Sequence, residues 1–376
     1  MDINQTPPDD QATLKRRIAA LEEQNTNLLS KLEKKPRNEN FVLEGRAIRR
    51  LVSLVDRVED LLAEHDRRVM LGGGNDSDTP SIPSSDVEQY QYRSYQKLIR
   101  WCPSIRKLMQ SDMDTYQLNI TYRQLNQGAD GARGDDASML KVTVATWLME
   151  QTPCPEPAIH SRDKASRGFN HDVTGRLLCP VDYDWEDPSV RAGIRDYHPD
   201  FLVTAFSWPR YLYENLVFDP KNPTKGLFRG ELLLKAFRCI FTSPSSAESG
   251  EDQNARRNKV QRTSGERRTR CDVAGLLKMH EVQPRAIAYG AVQLRQSLSS
   301  SGSWRIVDED FDNEAFYYNI VDYFELPTSQ EQTKEVDDLL LWWNRQIFRR
   351  QNVSSYRPQQ VKKLSVALCR PTTHAA

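Results

Sequence analysis

Long uncharged apolar runs are missing from this 376-residue chain. No stretch approaches the roughly 20 residues that a bilayer-spanning helix needs, and Met1–Asp10 lacks the basic-then-apolar order of a signal peptide. An excess of one charge is missing too, since 52 Lys and Arg face 52 Asp and Glu, so any attraction to nucleic acid has to be local. Cysteine is sparse: six residues, no CxxC pair and no secretory leader argue for reduced thiols acting as small buried hydrophobes. Phosphate loops, GxSxG, HExxH, kinase signatures and GxGxxG are all absent, and the GGGN at 72–75 runs into a polar stretch instead of joining a strand to a helix. These absences set the expectation: an intracellular protein, nuclear or cytoplasmic, with no membrane partner and no cofactor. Full disorder is excluded as well, because 7 Trp, 14 Tyr and 12 Phe can build a core.

The most legible pattern lies near the start. Leu14, Ile18, Leu21, Asn25, Leu28 and Leu32 alternate by four and three, the spacing that keeps one seam toward a partner helix. With Leu14, Leu21 and Leu28 at d, Asn25 falls at an a position, where it fixes register in parallel dimers, and Arg17 and Glu22 fall where they pair across the seam. Pro36 ends the run. Ile48, Leu51, Val55, Val58, Leu62, His65 and Val69 alternate again, with Leu54 and Leu61 widening the stripe. A widened stripe folds back on the first helix, continues the coil or docks on the main domain; His65 reads as packing. The expected layout is a tail at 1–12, a coiled-coil oligomerisation segment at 13–71, a Gly/Pro/Ser linker at 72–86 and a helical domain at 87–371, with a basic loop at 243–270 that reads as disordered.

Inside the domain the periodicity is helical, so the fold class is mainly α. Faces at Tyr95–Cys102, Leu140–Leu148, Leu233–Phe241, Ile287–Leu298, Phe316–Phe324 and Val336–Ile347 carry it. Pro284 opens one of these helices and Asp187–Pro188 caps and opens a short one through Ile194. Gln117–Tyr122 is the best strand candidate, GADGARGDDAS at 128–138 reads as a loop, and WPRYLYENL reads as a helix opened by Ser207 and Pro209.

The stretch 152–209 holds seven prolines, and irregular segments of that kind line clefts. It contains four soft ligands, Cys154, His160, His171 and Cys179, whose spacing lacks the close pair that first grips zinc. It also contains Asp172, Asp182 and Asp184, which with His171 form the candidate set for a divalent cation and phosphoester chemistry. Charge is distributed in blocks. Residues 253–270 carry Arg256, Arg257, Lys259, Arg262, Arg267, Arg268 and Arg270 against one acid, 308–338 carries eleven acids against Lys334, and 345–370 carries seven bases and no acid. The first basic block reads as an import signal, a solvated loop or a phosphate contact.

The phrases RGFNHDVTGRLLCPVDYDWEDPSVRAGIRDYHPDFLVTAFSWPRYLYENLVFDP (167–220), KGLFRGELLLKAFRCIFTSPSS (225–246), RTRCDVAGLLKMHEVQPRAIAYGAVQLRQSLSSSGSW (268–304) and DFDNEAFYYNIVDYFE (310–325) resemble a numerous family of uncharacterised proteins from mushroom-forming fungi, over about residues 160–326. The resemblance implies a shared fold and a fungal source. It supplies no activity, catalytic residue or cofactor. The leading expectation is therefore a non-enzymatic protein, homodimeric through its coil, whose basic loops meet an acidic protein or nucleic acid. The runner-up is a metal-dependent enzyme acting on phosphoesters from the Pro-rich segment. A third is a scaffold binding through the Trp342/Trp343 helix.

Overall fold

The computed structural model describes residues 17, 41–71, 85–110, 114–242 and 272–348. The chain divides into two units, Met1–Phe41 and Val42–Ala376. The heptad residues Leu14, Ile18, Leu21, Asn25, Leu28 and Leu32 and the basic residues Arg256, Arg257, Lys259, Arg262, Arg267, Arg268 and Arg270 lie outside the described residues.

From Phe41 onward the described chain is mainly helical. In order it contains α1 (Phe41–Gly45), α2 (Ile48–Leu51), α3 (Val58–Met70), α4 (Asp86–Trp101), α5 (Pro103–Met109), α6 (Thr115–Met149), α7 (Asp172–Leu178), α8 (Pro188–Arg195), α9 (Glu231–Phe241), α10 (Val273–Leu276), α11 (Pro284–Leu298), α12 (Asn313–Glu325) and α13 (Gln330–Phe348). Between α11 and α12 a small antiparallel ribbon pairs β1 (Val307–Asp308) with β2 (Phe311–Asp312).

Helix α11 is the axis of the fold. Pro284 occupies its first turn, as the sequence suggests, and every residue from Arg285 to Leu298 is buried, with α12, α6, α9 and α2 packed round it. A helix buried on all sides must pair its polar groups internally. Arg285 does so with a two-point contact to Glu325 of α12 (3.0 and 3.1 Å), a hydrogen bond to Ser94 Oγ of α4 (2.8 Å) and another to the Val52 carbonyl. Tyr289 donates to Asp136 of α6 at 2.7 Å. The carbonyls at the C-terminal end, unsatisfied within any helix, meet cations from the Pro-rich segment: Lys164 Nζ donates to Gln296 O and, at 2.5 Å, to Ser301 O, while Arg167 Nη1 donates to Ser297 O at 2.7 Å. Cations at that end also match the helix dipole.

Helix α6 overturns two local readings. Neither a strand at 117–122 nor a loop at 128–138 forms; one 35-residue helix runs through both, N-capped by Asp114. Thr121, Leu125, Ala129, Ala132, Asp136, Leu140, Val144 and Leu148 keep a continuous buried stripe along it. Gly128 and the acids that resemble loop chemistry serve docking instead. A side-chain carbon at Gly128 would fall 2.0 Å from the Val42 carbonyl, and one at Gly45 would fall 2.1 Å from the Leu125 carbonyl, so α1 and α6 touch backbone to backbone. Next to that contact Arg46 pairs with Asp135 (2.7 Å), Arg49 with Asp130 (3.0 Å) and Arg50, two-pronged, with Asp136 (2.9 and 2.7 Å). Arg50 and Asp136 are both buried, and the Tyr289 hydroxyl completes the carboxylate's partners, which is what a buried ion pair needs to offset its desolvation.

Residues 42–71 therefore dock on the main domain, one of the three placements their stripe allows. The helix expected across 46–71 breaks between Leu51 and Val58, where Ser53 Oγ and Asp56 bond each other (2.6 and 3.1 Å) and Asn126 Oδ1 receives the Val58 N–H (3.2 Å). The break lets Leu51 and Leu54 enter the central core while Val58 and Leu61 are also buried. His65 stacks on Tyr95 at 4.1 Å.

The 207–217 stretch forms two 3-10 turns, Arg210–Leu212 and Glu214–Leu216, instead of a helix. Asn215 and Leu216 have φ near +55 to +60°, and Tyr211 reaches across to the Ala291 carbonyl at 3.0 Å. Helix α13 buries Trp343 completely, its indole N–H on the Phe228 carbonyl (3.1 Å), whereas Trp342 is half-buried beneath Arg229.

Candidate binding cleft

The residues singled out in the Pro-rich segment do not converge. His171 caps α7: its Nδ1 accepts from Val173 N (3.1 Å), which leaves Nε2–H to donate to the Pro157 carbonyl (2.7 Å), so both ring nitrogens of this buried side chain are engaged. Asp172 is exposed and pairs with Arg195 at 3.1 Å. Asp184 closes a local turn by accepting from Glu186 N, and Asp182 is exposed. Cys154 and His160 are exposed, while Cys179 is buried with its thiol directed at the Pro180 and Tyr183 carbonyls, and burial pushes its pKa up to about 11. Among the described residues no three His, Cys, Asp or Glu side chains are grouped to hold a metal ion. The described cysteines Cys102, Cys154, Cys179 and Cys239 are free thiols, and all but Cys154 are buried.

A cleft nevertheless forms at the edge of the same segment. The end of α8 and the chain after it supply Ile194, Arg195, Tyr197, Leu202 and Val203, α11 supplies Arg295, and the β1–β2 ribbon supplies Asp308, Glu309, Asp310 and Phe311, round a cavity of about 110 Å³. Local chemistry fixes each wall. Asp187 caps α8 by accepting from Ser189 N at 2.8 Å, with Pro188 in the first turn. The helix stops at Arg195, and Tyr197 takes φ +53° as the chain turns back. On the opposite wall a two-residue hairpin turn needs left-handed backbone, which Glu309 adopts at φ +59°. The two residues come together, and the Glu309 carboxylate, ahead of burial, pushes the pKa of Tyr197 up to about 12.

Arg295 is the cleft's floor. It is 7% exposed, its guanidinium lies 3.3 Å from the centre of the Phe311 ring, and its Nη1 has no hydrogen-bond partner, with Asp308 Oδ2 3.6 Å away. Burial brings its pKa down to about 10, partly opposed by Asp308. Lys164, close by, is also held down, to about 8, by burial and then by Arg167. Lys164 and Arg167 give hydrogen bonds to the α11 carbonyls, with Arg167 Nε left over, whereas Arg295 makes the 3.6 Å contact to Asp308 in place of a hydrogen bond at Nη1. In the sequence its signal was slight: Arg285 and Arg295 are the only charges in an otherwise uncharged 15-residue helix, too few for a solvated face.

A second opening, about 390 Å³, lies between Asp172, Arg176, Trp185 and Arg191. It is bridged by the Arg176–Glu186 pair, and Gly175 leaves room for the Trp185 ring, which a side-chain carbon would meet at 2.2 Å.

A family profile described as "Family of unknown function (DUF6698)" matches residues 127–348. The match begins inside α6 and ends with α13, wider at both ends than the phrases that carry the sequence resemblance, and it takes in the whole cleft. No curated protein and no solved structure matches the chain.

Proposed function

The chain belongs to this family of unknown function, and from that premise we propose that it is a non-enzymatic interaction protein, a helical body carried as a parallel homodimer by its N-terminal coil. The observation that carries the reading is the 4-3 alternation of Leu14, Ile18, Leu21, Asn25, Leu28 and Leu32 in the sequence. The basic residues from Arg256 to Arg270 are the contact for an acidic protein or nucleic acid, with strongly salt-dependent and sequence-indifferent affinity. No described helix is long and apolar enough to cross a membrane. An intracellular address, nuclear if the basic run directs import, and the fungal source that the resemblance implies belong to the same proposal.

The test is light scattering on the full chain and on Leu21→Glu/Leu28→Glu. The unchanged chain is expected at twice its monomer mass and the double variant at the monomer mass, with unchanged helical circular dichroism. A monomeric mass for the unchanged chain overturns the dimer.

A further inference from the structure

The cleft floored by Arg295 is unused by the interaction proposed above, and its chemistry specifies a ligand. Arg295 lines the cavity at 7% exposure, with Asp308 Oδ2 3.6 Å from its Nη1 and no hydrogen bond there, and an arginine so placed gains a hydrogen-bonded partner from a carboxylate or phosphate oxygen. Three acids in a row, Asp308, Glu309 and Asp310, line the same cavity and repel anything with several negative charges, which weighs against phosphate esters and nucleic acid. Those acids are not equivalent. Asp308 pairs with Arg295, and Glu309 lies beside Tyr197, whereas Asp310 is exposed at the rim. A cavity of about 110 Å³ holds on the order of eight water centres, the size of a small metabolite. Ile194, Val203 and Phe311 give it an apolar wall.

We propose that this cleft binds a small amino carboxylate, a free neutral α-amino acid or close analogue, with the carboxylate on Arg295, the ammonium toward Asp310 and the side chain against Val203 and Phe311. One buried cation and one rim anion, lining the same small cavity, match the two ends of a zwitterion. A simple acid would leave Asp310 unanswered, and a simple amine would leave Arg295 with only the 3.6 Å contact to Asp308.

Titration calorimetry on the full chain tests this with millimolar neutral L-amino acids, their deaminated counterparts (leucine against 4-methylpentanoate, alanine against propionate) and inorganic phosphate. At least one amino acid is expected to bind and to raise the melting temperature, with its deaminated counterpart about tenfold weaker or worse. Asp310→Asn, an exposed change, should weaken the amino acid about tenfold and leave the deaminated acid unaltered. Arg295→Gln should abolish both, and if that variant does not fold, Asp310→Asn decides alone. Absence of any amino-acid binding, equal or tighter binding of phosphate or of the deaminated acid, or an amino-acid affinity untouched in Asp310→Asn each overturns the proposal. None of these readings depends on the oligomeric state, so failure here and failure of the dimer are separate results.

Discussion

Glu314 sits in the first turn of α12, part-buried, beside Asp312 and facing Asp56, which itself accepts from Tyr318 (3.0 Å) and Ser53 (2.6 Å). Burial first, then Asp56 and Asp312, raise its pKa to about 7, and Arg49 only partly opposes this. A carboxyl whose folded value lies above its unfolded one binds more protons folded than unfolded, so its contribution to stability is fully present below the unfolded value and is lost as pH rises through the folded one. Glu314→Gln should therefore gain on the wild type between pH 4.5 and 8, by on the order of 1 kcal/mol once solvent screening is allowed for. Urea unfolding across that range measures it, and a difference that is flat with pH refutes it. This role was not readable in advance: Glu314 appeared only as one of eleven acids in a block, and what distinguishes it is the carboxylate brought against it from residue 56. His171 shows the converse. Its residue type suggested a ligand, and its neighbours made it a helix cap.

Among elements, α6 shows where composition misleads. Glycine and aspartate in GADGARGDDAS are turn formers because they tolerate left-handed backbone and bond their own chain. Here the arginines of 46–50 take those carboxylates, and the absent side chain of Gly128 admits the Val42 carbonyl. The glycines make a paired test. In an exposed helix interior, glycine to alanine is worth up to about 1 kcal/mol in favour of alanine. Gly134→Ala, with nothing within 4 Å of the new carbon, should follow that rule and stabilise. Gly128→Ala should destabilise by about 2 kcal/mol or more, because a carbon 2.0 Å from a carbonyl oxygen pushes α1 off α6. Denaturant midpoints of the two variants should move in opposite directions. By contrast α8, α11 and α13 were legible, since Asp187–Pro188, Pro284 and the Val336–Ile347 face are local signals that no long-range contact reversed.

At the scale of the whole molecule, the folded body begins well before the Gly-, Pro- and Ser-rich sequence at 72–86. Ile48, Leu51, Val52, Leu54, Val58 and Leu61 are at most 1% exposed. At about 1.5–3 kcal/mol for each side chain fully buried, removing them costs as much as a domain's entire net stability of about 5–15 kcal/mol. A chain beginning at Phe41 should keep a cooperative thermal transition, and a chain beginning at Asp86 should lose it; equal transitions by circular dichroism would show that the segment is dispensable. The amino-acid sequence by itself determined the helical class and the starts of α8 and α11, because these follow from spacings and caps within a few residues of one another. Only the tertiary structure decided that Ile48, Leu51, Leu54, Val58 and Leu61 are core, that the loop-like Gly128 is a helix contact and that Arg295 shares a cleft with three acids. Each of these depends on groups far apart along the chain, and their burial and pairing energies exist only once the chain has closed on itself.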